Sequence, residues 1–277
     1  MAAPSPGTAD NSDCGTVHAV AVGLDGTVYA ATADGVVRAW GGDAYSPLRA
    51  VGGHSSFVWT LVVCPESGHV LSGSADCTAI RWAPQLTKSI HTLTGHTEDV
   101  VAVAATPVGE AITASTDKTL RVWGRDGRHL RTLVGHSAPV RAVVVSPSGI
   151  VFSASDDGTV RTWAAGTLVA MAVLLAPAAV TALALCPASQ QLFAGCRSGA
   201  LMVCRVDGCG DDDELNGGGG DKERNRGRAP KELPFCPGEP GALFVIHAYA
   251  DSVDALAVGP GGVLYTTSCE DYSVQAW

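Results

Sequence analysis

Apolar and polar residues alternate in short runs along most of the chain, and turn residues punctuate those runs. RAVVVS at 141–146 is a β-branched run followed by the turn SPSG. IVFSAS reads as a second strand, DDG as a tight turn, and TVRTW as a third, alternating strand. LRTLV precedes them as another strand, closed by Gly135-His136. The local order is therefore strand, turn, strand, turn, strand, with one more strand outside.

This phrase recurs. Trp40, Trp82, Trp123 and Trp163 stand at intervals of 42, 41 and 40 residues, closing ATADGVVRAW, GSADCTAIRW, ASTDKTLRVW and ASDDGTVRTW. An Asp lies six residues before each Trp, at Asp34, Asp76, Asp117 and Asp157. TSCEDYSVQAW repeats the spacing with Asp271 and Trp277, and FAGCRSGALMVC is a degenerate copy with Ser198 for Asp and Cys204 for Trp. Four short antiparallel strands repeating every ~40–45 residues make the blade of a β-propeller. One blade cannot bury both of its faces, so the repeats are expected to fold together.

The pattern thus predicts an all-β propeller of about six four-stranded blades over residues 15–277. The inner three strands fall near 16–40, 57–82, 99–123, 139–163, 179–204 and 252–277. Only five outer strands follow, near 47–51, 88–93, 129–133, 168–174 and 242–247. Residues 1–13 hold two prolines and almost no β-branched side chains, a poor source for the missing strand. Either the last blade has three strands, or the chain is a fragment or irregular product. Residues 1–14 are read as a disordered N-terminal segment. The Gly-rich, mixed-charge stretch 207–241 is read as a flexible insertion in the fifth blade.

Composition narrows the function. The chain is 46% hydrophobic and 16% charged, which excludes a largely disordered protein. Apolar runs such as Met171 to Leu175 are too short to cross a bilayer, and residues 1–13 lack the pattern of a secretory signal. A net charge of −9 gives no general foothold on phosphate, so neither nucleic acid nor an anionic membrane is expected as partner. Nine cysteines, an odd number without C-x-x-C spacing, read as reduced thiols in the cytoplasm or nucleus, mostly small core residues. No nucleophile motif, P-loop, zinc spacing or dinucleotide fingerprint is present. Asp211 to Glu214 and Asp156-Asp157 lack the ligand spacing of a calcium loop. No catalytic residue, metal or cofactor is expected.

The pairs Gly53-His54, Gly95-His96 and Gly135-His136, each coupled to an Asp and a Trp, resemble the WD-repeat family. The resemblance covers roughly residues 15–277. It implies hydrogen-bonded networks inside the blades: His54, Asp76 and Trp82; His96, Asp117 and Trp123; His136, Asp157 and Trp163. The hydroxyl member would be Ser72 or Ser74, Thr113 or Ser115, and Ser153 or Ser155. These residues look catalytic as a list, but a turn carboxylate accepting orphan N–H groups is structural. No Trp is followed by Asp, so a docking mode that uses Trp-Asp-x-Arg has no support. The family most often has seven blades, which admits a seven-bladed parent.

Carried over by repeat position, the partner-binding face would hold Phe57, Trp59, Asp99, Arg141, Asp156, Arg197, Asp254 and Glu270. Phe57 and Trp59 would anchor a protein or peptide, and the acids would steer a basic one. The expected function is a non-catalytic interaction scaffold or substrate-recognition subunit within a larger assembly. Two alternatives stand beside it: a truncated propeller paralogue without an independent binding role, and a propeller enzyme, for which no convergent catalytic set is visible.

Overall fold

A computed structural model describes residues 15–41, 46–164, 166–205, 231–233, 244–247, 249, 251–268 and 273–277. Blade 1 comprises β1 (Val17–Val22), β2 (Val28–Thr32), β3 (Val36–Gly41) and β4 (Ser46–Gly52). Blade 2 comprises β5 (Val58–Val63), β6 (Val70–Ser74), β7 (Thr78–Trp82) and β8 (Ser89–Thr94). Blade 3 follows with β9 (Val100–Ala105), β10 (Ala111–Ser115), β11 (Leu120–Trp123) and β12 (His129–Leu133). Blade 4 has β13 (Val140–Val145), β14 (Val151–Ser155), β15 (Thr159–Trp163) and β16 (Ala170–Leu175). Blade 5 has β17 (Val180–Cys186), β18 (Gln191–Cys196) and β19 (Ala200–Arg205); its outer strand β21 (Phe244–His247) comes after β20 (Lys231–Leu233). Blade 6 has β22 (Ala255–Val258), β23 (Leu264–Ser268) and β24 (Ser273–Ala276), three strands among the described residues.

Each blade is an antiparallel meander, and the six inner triplets and five outer strands fall where the repeat places them. β20 lies within the 207–241 insertion and pairs in parallel with β16, so blade 4 carries a fifth strand. Residues 1–14 and most of that insertion lie outside the described residues.

The first strands converge on a common axis: β1 packs on β5, β5 on β9, β9 on β13, β13 on β17 and β17 on β22. The core is divided accordingly into five apolar clusters, one for each pair of consecutive blades. Tyr29, Val37, Leu61 and Trp82 join blades 1 and 2, and Leu71, Leu93, Val103 and Trp123 join blades 2 and 3. Ile112, Leu120, Val143 and Trp163 join blades 3 and 4, and Phe152, Val160, Leu183 and Met202 join blades 4 and 5. Phe193, Leu201 and Leu264 join blades 5 and 6. Burial of both faces of one sheet between two neighbours is the main stabilising term, at ~25 cal/mol per Å² of apolar surface.

Cys64, Cys186, Cys196 and Cys204 are buried in these layers and Cys77 is half-buried. Burial pushes the Cys196 thiol up to about 11, so it is a small apolar filler. Cys14, Cys209, Cys236 and Cys269 lie outside the described residues.

Candidate functional site

The His and Asp residues of the three best repeats are held inside blades. In blade 3, His96 Nδ1 lies 2.7 Å from Asp117 Oδ2 and its Nε2 lies 2.8 Å from Thr113 Oγ1. The Trp123 indole N–H donates to the same Thr113 oxygen at 2.9 Å. Blade 2 repeats this with His54, Asp76, Ser72 and Trp82, and blade 4 with His136, Asp157, Ser153 and Trp163. The hydroxyl member is therefore Ser72, Thr113 or Ser153. Ser74, Ser115 and Ser155 instead accept the backbone N–H of the turn Asp.

Burial lowers the pKa of all three His rings and outweighs the pull of the neighbouring carboxylate. Burial alone would raise Asp76, Asp117 and Asp157. Hydrogen bonds from Thr78, Thr119 and Thr159, from backbone N–H groups and from the His rings reverse this and keep the carboxyls anionic. A neutral His then donates Nδ1–H to the carboxylate, accepts the hydroxyl proton at Nε2, and leaves the hydroxyl oxygen to the indole. Every polar group of the network has a partner, and the His rings are closed off from solvent inside the blade. Gly95 (φ +149°) precedes His96 because a Cβ there would lie 2.5 Å from the Arg121 guanidinium.

The channel mouth is different. In β1, β5, β9, β13 and β17 the pairing with the next strand slips by one residue at the same place, leaving His18, Trp59, Val101, Arg141 and Thr181 as bulges. Asp254 stands at that position just before β22. A bulge re-aims its side chain out of the regular pleat. These residues, with those just before them, surround the axis on the face where the first strands begin.

Two groups form there. His18, Phe57 and Trp59 make an aromatic cluster, with ring centroids 4.6 Å apart for His18–Trp59 and 5.6 Å for Phe57–Trp59. The Trp59 indole donates to Asp99 Oδ2 at 3.0 Å, which ties blade 2 to blade 3. Phe57 remains 47% exposed. In the second group Arg141 grips Asp156 Oδ2 through Nε and Nη2, at 2.9 and 2.6 Å. Arg197 Nη2 lies 3.7 Å from the other Asp156 oxygen. Asp254 Oδ1 accepts a hydrogen bond from Ser252 Oγ at 2.7 Å. Glu270 lies outside the described residues. Asp156 is thus paired with two arginines, and Asp99 is the acid beside the aromatic rings.

Sequence reading missed two positions that the structure brings into these groups. His18 shares the register of Trp59 and Arg141, as VHAVAV, VWTLVV and VRAVVV show when aligned. Tyr249 stands four residues before Val253, as His54 does before Val58, and takes the His place in blade 6. Its hydroxyl donates to the Thr266 carbonyl at 2.7 Å and lies 2.8 Å from Thr266 Oγ1, which also accepts from the Trp277 indole at 3.1 Å.

Among the described residues no group of His, Cys, Asp or Glu is arranged to hold a metal ion, and no helix is long and apolar enough to cross a membrane. The family model "WD domain, G-beta repeat" matches residues 45–82, 87–124 and 127–164. An uncharacterized WD repeat-containing protein of Schizosaccharomyces pombe is 26% identical over 99 residues, 35% of this chain and 27% of that protein. The transcriptional repressor rco-1 of Neurospora crassa is 34% identical over 82 residues, 27% of this chain and 14% of that protein. The matches therefore span about a quarter or less of these relatives' own lengths. Such repeats typically build non-catalytic platforms for protein interaction. With three repeats matched and the same blade pattern built on either side of them, the chain carries WD repeats within a six-bladed β-propeller.

Proposed function

We propose that this chain is a non-catalytic scaffold that holds a peptide segment of a partner protein across its channel mouth. The observation that carries this is the aromatic cluster of His18, Phe57 and Trp59 at a position where β-bulges turn side chains outward. An exposed Phe against a fixed indole offers apolar area at little entropic cost, because Asp99 already holds the Trp59 ring in place. The same carboxylate sets a negative charge beside an aromatic face, which suits a Lys or Arg side chain. Arg141, Asp156 and Arg197 form a separate polar patch that fits the carbonyls of an extended backbone. The likeness to a protein named as a transcriptional repressor supports membership of a multiprotein assembly.

The test is to pan a displayed random-peptide library on the full chain and on the Phe57→Ala/Trp59→Ala variant. Peptides enriched on the native chain are expected to carry Lys or Arg and to bind the variant at least about tenfold more weakly, equivalent to ~1.4 kcal/mol. Equal binding to both forms would place recognition away from the mouth. A second reading, a propeller without an independent binding role, is favoured by the exposed apolar faces of blades 1 and 6, and no enrichment on a folded chain would support it.

A further inference from the structure

The outer strands differ in how they close their sheets. β4 carries Pro47 and Arg49, β8 carries His91, β12 carries His129 and Arg131, and β21 ends on His247. Proline and ionisable side chains on an edge strand discourage pairing with another chain. β16 reads AMAVLL and has neither. An uncharged apolar edge is a template for a further strand, because nothing deters pairing with its outward row of N–H and C=O groups.

That place is filled from within the chain. β20 lies parallel to β16, with Lys231 opposite Ala172, Glu232 opposite Val173 and Leu233 opposite Leu174. The three residues it pairs with are 5–7% exposed, whereas Leu175, beyond its reach, is 44% exposed. On β12, by contrast, His129, Leu130 and Arg131 are all exposed.

The covering segment is unusual in sequence. Pro230 and Pro234 bracket Lys231–Leu233 on both sides. Neither proline has an N–H to give to a ladder, so pairing from this segment stops after three residues. A strand that is short, charged and bounded by proline has the features that protect an edge. It therefore brings to blade 4 what β16 lacks. The segment lies between β19 and β21 of blade 5, the neighbouring blade, and so is tethered close to the edge it covers. A short tether gives an effective concentration on the order of millimolar, which lets three paired residues compete with a separate molecule.

We propose that the outer edge of blade 4 is a latent pairing surface for a second copy of this chain, guarded in cis by Lys231–Leu233. The occupant follows from the strand itself. Two β16 strands laid antiparallel about a two-fold axis set Ala170 against Leu175, Met171 against Leu174 and Ala172 against Val173. No like charges meet in that arrangement, and all six residues pair where the guard pairs three. Each copy presents the same patch to the other, so the contact closes as a dimer and leaves no further β16 edge open. Withdrawal of the guard is the switch between the two states. The surface is independent of the channel-mouth reading, because Phe57 and Trp59 belong to blade 2 and β16 is the fourth strand of blade 4.

The experiment compares the full native chain with two variants of equal length. One is Glu232→Pro/Leu233→Pro, which removes amide donors from the guard; the other is Lys231→Gly/Glu232→Ser/Leu233→Gly, which removes strand propensity without adding proline. Backbone hydrogen exchange is followed in Ala170–Leu175, with β9 as the internal control of folding, and molar mass is measured by sedimentation over a range of concentrations. The native chain is expected to remain a monomer with β16 protected. In dilute solution both variants should exchange at least about tenfold faster in β16 and unchanged in β9. At higher concentration they should form a dimer in which β16 protection returns. Adding Met171→Lys/Leu175→Lys to either variant should abolish the dimer and leave exchange fast. The proposal is overturned if β16 exchange in dilute solution does not change, or if the variants stay monomeric at every concentration. A native chain already dimeric through β16 overturns it, as does a variant dimer that survives the two lysines. Loss of β9 protection in both variants would make the segment part of the core fold rather than a guard, and overturns it too. None of these outcomes depends on peptide binding at Phe57 and Trp59, so the two readings fail separately.

Discussion

Blades 2, 3 and 4 and blades 1, 5 and 6 reach one backbone by different polar solutions. The first three share the His–Asp–hydroxyl–Trp chain of hydrogen bonds. In blade 1, Asp34 is instead clasped by Arg38 at 2.6 Å and bonded to Thr32, and the guanidinium holds its carboxyl well below the usual carboxylate range. Blade 5 has Cys196 and Cys204 in apolar layers, and blade 6 uses Tyr249 with Thr266 and Trp277. The meander therefore does not require the network. Apolar burial between neighbours builds the blade, and the network fixes its turn and first strand where it is present. Leaving one member of it unpaired would cost about 1–3 kcal/mol.

This comparison can be broken most forcefully at the tryptophans. Trp123 is buried against blade 2 and bonded to Thr113, so Trp123→Ala should lower the unfolding free energy by about 3–5 kcal/mol. Trp40, half-buried on the exposed side of blade 1, should cost about 1–2 kcal/mol when replaced by Ala. Equal losses in urea unfolding would show that the two blades are not differently supported.

Acid should separate the same regions by a smaller margin. His54, His96 and His136 are held neutral by burial, below their ordinary value of 6.5. The unfolded chain therefore binds protons first as pH falls, and the native state loses stability progressively below about pH 6.5. Thermal midpoints measured between pH 7.5 and 5.5 should decline, and His96→Gln should flatten that decline although its starting midpoint is lower. An unchanged slope would remove the rings as its cause.

The smallest effect belongs to the turns. Lys118 sits at φ +71°, at a turn position held by Gly35 in blade 1 and Gly158 in blade 4. Lys118→Gly should relieve the left-handed strain and stabilise by roughly 0.5–1 kcal/mol, visible as a higher urea midpoint. A destabilised variant would mean that the lysine side chain contributes more than its backbone conformation costs.

Most of the fold was legible because each element is specified locally. Alternation, a turn Asp and a Trp at constant spacing recur often enough that their places need no neighbour to be read. The choice between Ser72 and Ser74 was not legible, because both lie on one strand two residues apart and only the approach of His54 and Trp82 separates them. Tyr249 was missed because it supplies a hydroxyl where the other blades supply an imidazole, so no residue match announces it. At the mouth, repeat position located Phe57, Trp59, Arg141 and Asp156. The capture of Asp156 by Arg141 and Arg197 joins two blades and leaves no trace in either repeat alone. The exposure of Val20 and Val274 depends on what stands beside a sheet, which the sheet's own residues do not encode.

The position at the start of each first strand, a slipped residue in five of the six blades, has a consequence for how such a surface can change over generations. The ladder is satisfied on either side of it, so its side chain is relieved of any duty to the pleat. Six blades of this one molecule carry His18, Trp59, Val101, Arg141, Thr181 and Asp254 at that place, spanning aromatic, aliphatic, cationic, hydroxyl and anionic chemistry on a common frame. The molecule thereby holds, within itself, a substitution series at one structural position. Side-chain chemistry can drift at these positions while the architecture beneath them stays constant.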